Sequence, residues 1–285
     1  MSLIRRKLPL SFQGNKSNHI EDFINYIEQC SAHTYIDLFG GSCYLSYVIH
    51  KLKPNVRVIC NDYDNYRERL VNVDTTNEII NAIRSITNSK RQTQYSPEQV
   101  IQIKQIISDV KNKDRFIDSI SLSSCLCFSG TYKTNVDNLL SMSHYYNNLP
   151  KKNYETKWYL ESLEGIEFVR TDWHDLFNQY KDEQNICFVA DPPYLGTDKS
   201  AYSSKFWGLL DTMETLLILK QPLFAYYSSE KSELQPMIEF LNKNYEKDNP
   251  IEYRTFMIRR GGVNHSAKPW NDLFCLFFYS PINDL

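Results

Sequence analysis

The sequence predicts an α/β fold, a parallel sheet flanked by helices and interrupted midway by an inserted, mainly helical module. Three observations carry that expectation. Short apolar runs at Thr34–Phe39, Val56–Cys60 and Ile186–Ala190 contain an acid or end within two residues of one: Asp37, Asp62 and Asp191. The first run leads through Gly40-Gly41-Ser42 into a helical pattern at Tyr44–Lys51, the strand–turn–helix–strand order that opens a parallel sheet. From about residue 70 to 150 strand patterns stop, and they return only at Ile166–Arg170.

Taken in order, apolar positions Ile20, Phe23, Ile24 and Ile27 have helical spacing after the polar segment Gly14–Asn18. Polar helical patterns follow at Asn77–Asn88 and Pro97–Asn112, and Ser119–Pro150 is rich in Ser, Asn, Thr and Tyr without sustained periodicity. Further strands are expected at Leu223–Tyr227, Tyr253–Ile258 and Leu273–Tyr279. The division that results is a catalytic domain from residues 1–69 and 151–285, with 70–150 inserted as a recognition module.

A length of 285 residues with 42% hydrophobic and 23% charged content suits one large domain, or one domain with a sizeable insertion. Net charge is −2, so a nucleic-acid partner would need a local basic face rather than a global excess. The seven cysteines form no CxxC pair and sit mostly in apolar runs, which reads as reduced thiols in a cytosolic protein. No Cys/His cluster has zinc-ligand spacing, no run of about 18 apolar residues could span a membrane, and the start shows no signal-peptide pattern.

Glycines placed between a strand and a helix let the backbone approach a ligand whose polar groups meet the helix N-terminus. Asp62 closes the next strand, about 20 residues after the turn, where a carboxylate can bond a ribose hydroxyl. The ligand expected is a nucleoside. A glycine turn and an acid also describe dinucleotide enzymes or an ordinary tight turn, and the full G-x-G-x-x-G is absent.

The second constellation is Asp191-Pro192-Pro193-Tyr194. Proline lacks an N–H and restricts its predecessor, so this corner leaves its carbonyls outside a ladder. It offers a carboxylate, the Pro192 carbonyl and an aromatic face. The complement is a flat ring bearing an exocyclic NH2, such as adenine: two acceptors take its N–H bonds and Tyr194 stacks on the ring. A duplex hides that amine, so the base must be flipped out.

DPPY at 191–194, DLFGGS at 37–42 and SFQGNKSN at 11–18 together resemble the DNA N6-adenine methyltransferases of the D12 class, the DNA adenine methylase type. Their order, with the insertion before DPPY, is similar to the alpha group of amino-methyltransferases. The resemblance covers nearly the whole chain. It implies a Rossmann-like S-adenosylmethionine-dependent methyltransferase domain, no metal, direct transfer to a flipped adenine in double-stranded DNA, and S-adenosylhomocysteine as product. It further implies a monomer in the cytoplasm of a bacterial or phage-infected cell, and leaves room for a cognate restriction endonuclease.

By the same resemblance, Phe12, Gly14, Asn15 and Lys16 cover the methionine end of the cofactor. Asp37, Phe39, Gly40, Gly41 and Ser42 form its turn, Asp62 holds the ribose, and Asp172 and Trp173 flank the cofactor adenine. Asp191, Pro192, Pro193 and Tyr194 are the catalytic set. DNA contacts are expected from Lys133, Lys199 and Lys205, and from Arg259 and Arg260 in a basic loop at 259–262. Two departures stand out. Cys43 occupies a place where the family often has glycine, and would crowd the cofactor unless Gly40-Gly41 supplies the flexibility. Lys133 stands where an arginine often reads guanine, and a phosphate contact is an equal reading of it. Other amino-methyltransferases, acting on RNA adenine, cytosine N4 or a glutamine amide, stay open as alternatives, as does a catalytically silent DNA-binding homologue.

Overall fold

The computed structural model describes residues 7–12, 14, 16, 20–87, 90–128, 132–194, 207–228 and 234–245, with the backbone of 229, 254–260 and 270–278. The chain begins α1 (Glu21–Gln29), β1 (Thr34–Asp37), α2 (Tyr44–Leu52) and β2 (Arg57–Asn61). Six helices follow before the next strand: α3 (Tyr66–Val71), α4 (Val73–Ser85), α5 (Pro97–Lys111), α6 (Ser119–Leu126), α7 (Val136–Leu140) and α8 (Lys157–Ser162). Then come β3 (Glu167–Val169), α9 (Trp173–Tyr180), β4 (Ile186–Ala190), α10 (Leu209–Glu214), β5 (Leu223–Ser229), α11 (Leu234–Asn244), β6 (Arg254–Arg260) and β7 (Trp270–Phe278).

The strands make one sheet in the order β3-β2-β1-β4-β5-β7-β6. β1 to β5 are parallel, and β7 runs antiparallel between β5 and β6. This is the expected Rossmann-like fold. A parallel sheet covered on both faces reads as continuous apolar sequence, and every residue of β4 is buried. Alternate residues feed two cores. Tyr35, Val58, Cys187 and Val189 meet Phe23, Ile27, Val48 and Tyr159 on one face. Ile36, Ile59, Phe188 and Tyr226 meet Phe177, Leu216, Ile218 and Ile238 on the other.

Helices α4 to α7 enclose a third apolar cluster that includes Ile79, Ile83, Ile103, Ile107, Leu122 and Leu139. α5 starts where a capping box with proline in the first turn would start it: Ser96 accepts from the Gln99 N–H, and the Gln99 side chain bonds back to Ser96. Several boundaries differ from expectation. The first strand ends at Asp37 rather than Phe39, because the chain turns there. Ser119–Pro150 contains α6 and α7, too short to show periodicity. Arg259 and Arg260 are not in a loop but end β6, paired with Asn271 and Trp270. Among the described residues no helix is long and apolar enough to cross a membrane.

Candidate active site

Strand order reverses at β1. The chain moves outward through β2 and β3, then returns on the other side of β1 as β4, which leaves a crevice at the carboxyl ends of β1 and β4. Asp37 pairs in register with Val189 of β4, so the glycine turn and the Asp191 corner emerge side by side. A cavity of roughly 390 Å³ lies between them. Phe12, Gly14, Lys16, Phe39, Gly40, Gly41 and Ser42 line it from one side, Asp191 and Pro193 from the other.

The turn is built by close approach. A Cβ on Gly40 would lie 2.5 Å from Cys60 Sγ and 2.8 Å from the Asn61 carbonyl oxygen, so only glycine lets the turn lie against β2. Gly41 has φ +52°, and a Cβ there would meet the Phe12 ring at 2.9 Å. Phe12 therefore lies over the turn, which is how the N-terminal motif reaches the cavity. Cys43 corrects the expectation of crowding. It is fully buried, does not line the cavity, and caps α2 with a left-handed backbone (φ 60°). Glycine at this position would answer a backbone angle, not a shortage of room.

Asp62, expected to hold a ribose, accepts the backbone N–H groups of Tyr66 (2.6 Å) and Arg67 (2.9 Å) at the start of α3 and does not line the cavity. The cavity wall after β2 is made instead by Asn61, Tyr63 and Asp64. Asn61 stitches three strand ends together: its amide donates to the Leu38 and Thr171 carbonyls and its oxygen accepts from Thr171 N–H. Asp37 lies behind the turn rather than on the cavity wall. Ser46 donates to its Oδ2 (2.7 Å), while Oδ1 has no hydrogen-bond partner among the described residues. Burial pushes its carboxyl up to about 7, against the opposing bond from Ser46.

Asp172 caps α9 through the His174 N–H, and both it and Trp173 line the cavity. His174 bridges two carboxylates, with Nδ1 2.9 Å from Asp172 and Nε2 2.6 Å from Glu214 of α10. Burial works to lower its pKa, but these two bonds outweigh it and raise the value. Phe39 packs against Trp173 (5.5 Å between centroids) and edge-on to Trp207 (5.7 Å). Trp207, Tyr63, Asp64, His174 and Asp211 line the cavity without having been foreseen. None belongs to a motif, and a lone aromatic or acid carries no signal of its own.

At the Asp191-Pro192-Pro193-Tyr194 corner Pro192 is buried and Pro193 faces the cavity. Tyr194, expected to stack on a base, here donates its hydroxyl to Asp191 Oδ1 at 2.8 Å. Asp191 Oδ2 is held by Lys16 Nζ at 2.5 Å. Lys133 is half-buried after α6, its backbone N–H bonded to Ser123 Oγ. Asn15, Lys199 and Lys205 lie outside the described residues, as do the side chains of Arg259 and Arg260.

The donor set fits S-adenosylmethionine. Phe39, Trp173 and Trp207 offer faces for a purine, and Asp64, Asp172, Asp191 and Asp211 outnumber Lys16 and His174 around the cavity, which suits a cofactor with a sulfonium and an ammonium group.

Residues 12–257 match the family described as D12 class N6 adenine-specific DNA methyltransferase. A protein of Haemophilus influenzae named "Putative methyltransferase" is 32% identical over 250 residues, spanning 83% of this chain and 79% of that one. Among solved structures, the precorrin-6y C5,15-methyltransferase of Geobacter metallireducens aligns over 94% of each chain at 9% identity and a TM-score of 0.37, a likeness too loose to bear on function.

Proposed function

The chain belongs to the D12 class N6 adenine-specific DNA methyltransferase family, and we propose that it methylates the exocyclic amine of a flipped-out adenine in duplex DNA. The observation that carries this reading is the meeting of the Asp191-Pro192-Pro193-Tyr194 corner with the glycine turn on one cavity at the strand-order reversal. Asp64, Asp172, Trp173 and Trp207 would hold the cofactor beside Gly40 and Gly41. When bound, S-adenosylmethionine supplies an electrophilic methyl group on a positively charged sulfur.

The adenine amine is a poor nucleophile because its lone pair is delocalised into the ring. The Asp191 carboxylate and the Pro192 carbonyl each accept one of its N–H bonds, which favours pyramidal nitrogen and stabilises the positive charge that develops there. Tyr194 releases Asp191 to stack on the entering base, and the Asp191 oxygen it vacates takes the N–H. Lys133 and the other basic candidates supply phosphate or base contacts.

The test is transfer of labelled methyl from S-adenosylmethionine to duplex DNA, with the product identified as N6-methyladenine. Asp191→Ala should slow transfer by about 10²-fold or more, by analogy with loss of one transition-state hydrogen bond. Turnover near that of the wild type in Asp191→Ala, or label on another base, would overturn the reading. Affinity for duplex should fall with salt, and each lost phosphate contact should flatten the log–log slope by about 0.9.

A further inference from the structure

We infer that Lys16 is a positioning residue for the catalytic carboxylate rather than a cover for the cofactor. Lys16 Nζ binds Asp191 Oδ2 at 2.5 Å and the Gly14 carbonyl at 2.7 Å. Its ammonium also lies over two rings, 5.5 Å from the centroid of Tyr194 and 5.3 Å from that of Tyr227. The residue is only 6% exposed. An ammonium so far from water must be matched by charge and hydrogen bonds, and here the match is one oxygen of the residue on which transfer depends.

Two consequences follow for the chemistry. The bond fixes the rotation of the carboxylate, so that Oδ1, which Tyr194 now occupies, is the oxygen presented to an incoming N–H. The anchor on Gly14 ties this arrangement to the segment whose Phe12 overlies Gly41 in the cofactor turn. Lys16 thus joins the catalytic corner to the cofactor side of the cavity.

This inference rests on the transfer reaction proposed above, so its test has one arm that does not need activity. Asp carboxyl carbons are labelled with 13C, and the Asp191 resonance is identified by its loss in Asp191→Asn. At one fixed pH the Asp191 resonance should be displaced in Lys16→Met relative to the wild type, because the N–H donor on Oδ2 is gone. An unchanged resonance would overturn the proposal, whether or not the protein methylates DNA. In the kinetic arm, Lys16→Met should bind S-adenosylmethionine within about twofold of the wild type by calorimetry. Its single-turnover rate at saturating cofactor should fall about 10²-fold. Lys16→Arg, which keeps the charge, should recover part of the rate, and guards against a folding defect in the methionine variant. A tenfold loss of cofactor affinity with an unchanged saturated rate would return Lys16 to the cofactor. Absence of transfer in the wild type would sink the proposed function and leave the carboxyl resonance to decide on Lys16.

Discussion

Arg69 of α3 donates from Nε to Asp118 Oδ1 at 2.9 Å, joining α3 to the N-cap of α6. Both side chains are almost fully enclosed. Arg69 also bonds the Ser11 carbonyl and Ser121 Oγ, and Asp118 accepts the Ser121 N–H as cap of α6. Nη1 of Arg69 and Oδ2 of Asp118 have no partner among the described residues, so the pair already sits near the limit of what burial tolerates. Removing one member strands the other charge. Arg69→Met alone should therefore cost about 3–5 kcal/mol in urea unfolding, and Arg69→Met with Asp118→Leu should cost less than the single change. A single change within 1 kcal/mol of the wild type would show the charges to be solvated.

Asp37 should make stability depend on pH with an unusual sign. Its folded carboxyl titrates near 7 because burial raises it from the ordinary 3.8. The folded chain then holds a proton that the unfolded chain has released, so this contribution is fully present below 3.8 and is lost as pH rises through 7. The loss amounts to at most about 1.4 kcal/mol per pH unit over that window. Asp37→Asn, which cannot ionise, should remove this component. Unfolding curves of the two proteins between pH 4.5 and 7.5 should diverge in favour of the variant as pH rises, and parallel curves would refute the shift.

The acids after β2 should separate in calorimetry. Asp62 caps α3 with two backbone bonds, and Asp62→Ala should cost about 0.5–2 kcal/mol of stability. Asp64 lines the cavity, so Asp64→Asn should weaken S-adenosylmethionine binding more than Asp62→Asn does. The reverse ranking would put the ribose at Asp62 after all.

Cys43→Gly should leave cofactor affinity unchanged, since the thiol faces the core and not the cavity. Its effect on stability balances two opposed quantities. Relief of a left-handed backbone is worth about 1–2 kcal/mol, and loss of a buried side chain costs a similar amount. Cys43→Ala gains no relief and still loses the sulfur, so it should be the less stable variant in thermal unfolding.

The chain order of strands, the glycine turn and the Asp-Pro-Pro-Tyr corner were legible because each is local. An apolar run, a proline pair or adjacent glycines restrict backbone geometry within a few residues, whatever lies elsewhere. That both motifs share an edge also follows from parallel strands, which point their carboxyl ends the same way. The residues that complete the cavity were not legible. Trp207 and Asp211 reach it through the packing of the segment before β5, and Asn61 matters because three strand ends converge on its amide. Asp62 and Asp64 are indistinguishable as sequence, and the start of α3 decides which carboxylate is spent on a cap. Lys16 and Asp191 stand 175 residues apart. Their pairing exists because the fold brings Lys16 to the end of β4, where Asp191 is its one salt-bridge partner among the described residues. Local backbone chemistry thus determined which elements form and where the acids stand. Tertiary burial decided which of those acids face the cavity, which bond the start of a helix, and which cation holds Asp191.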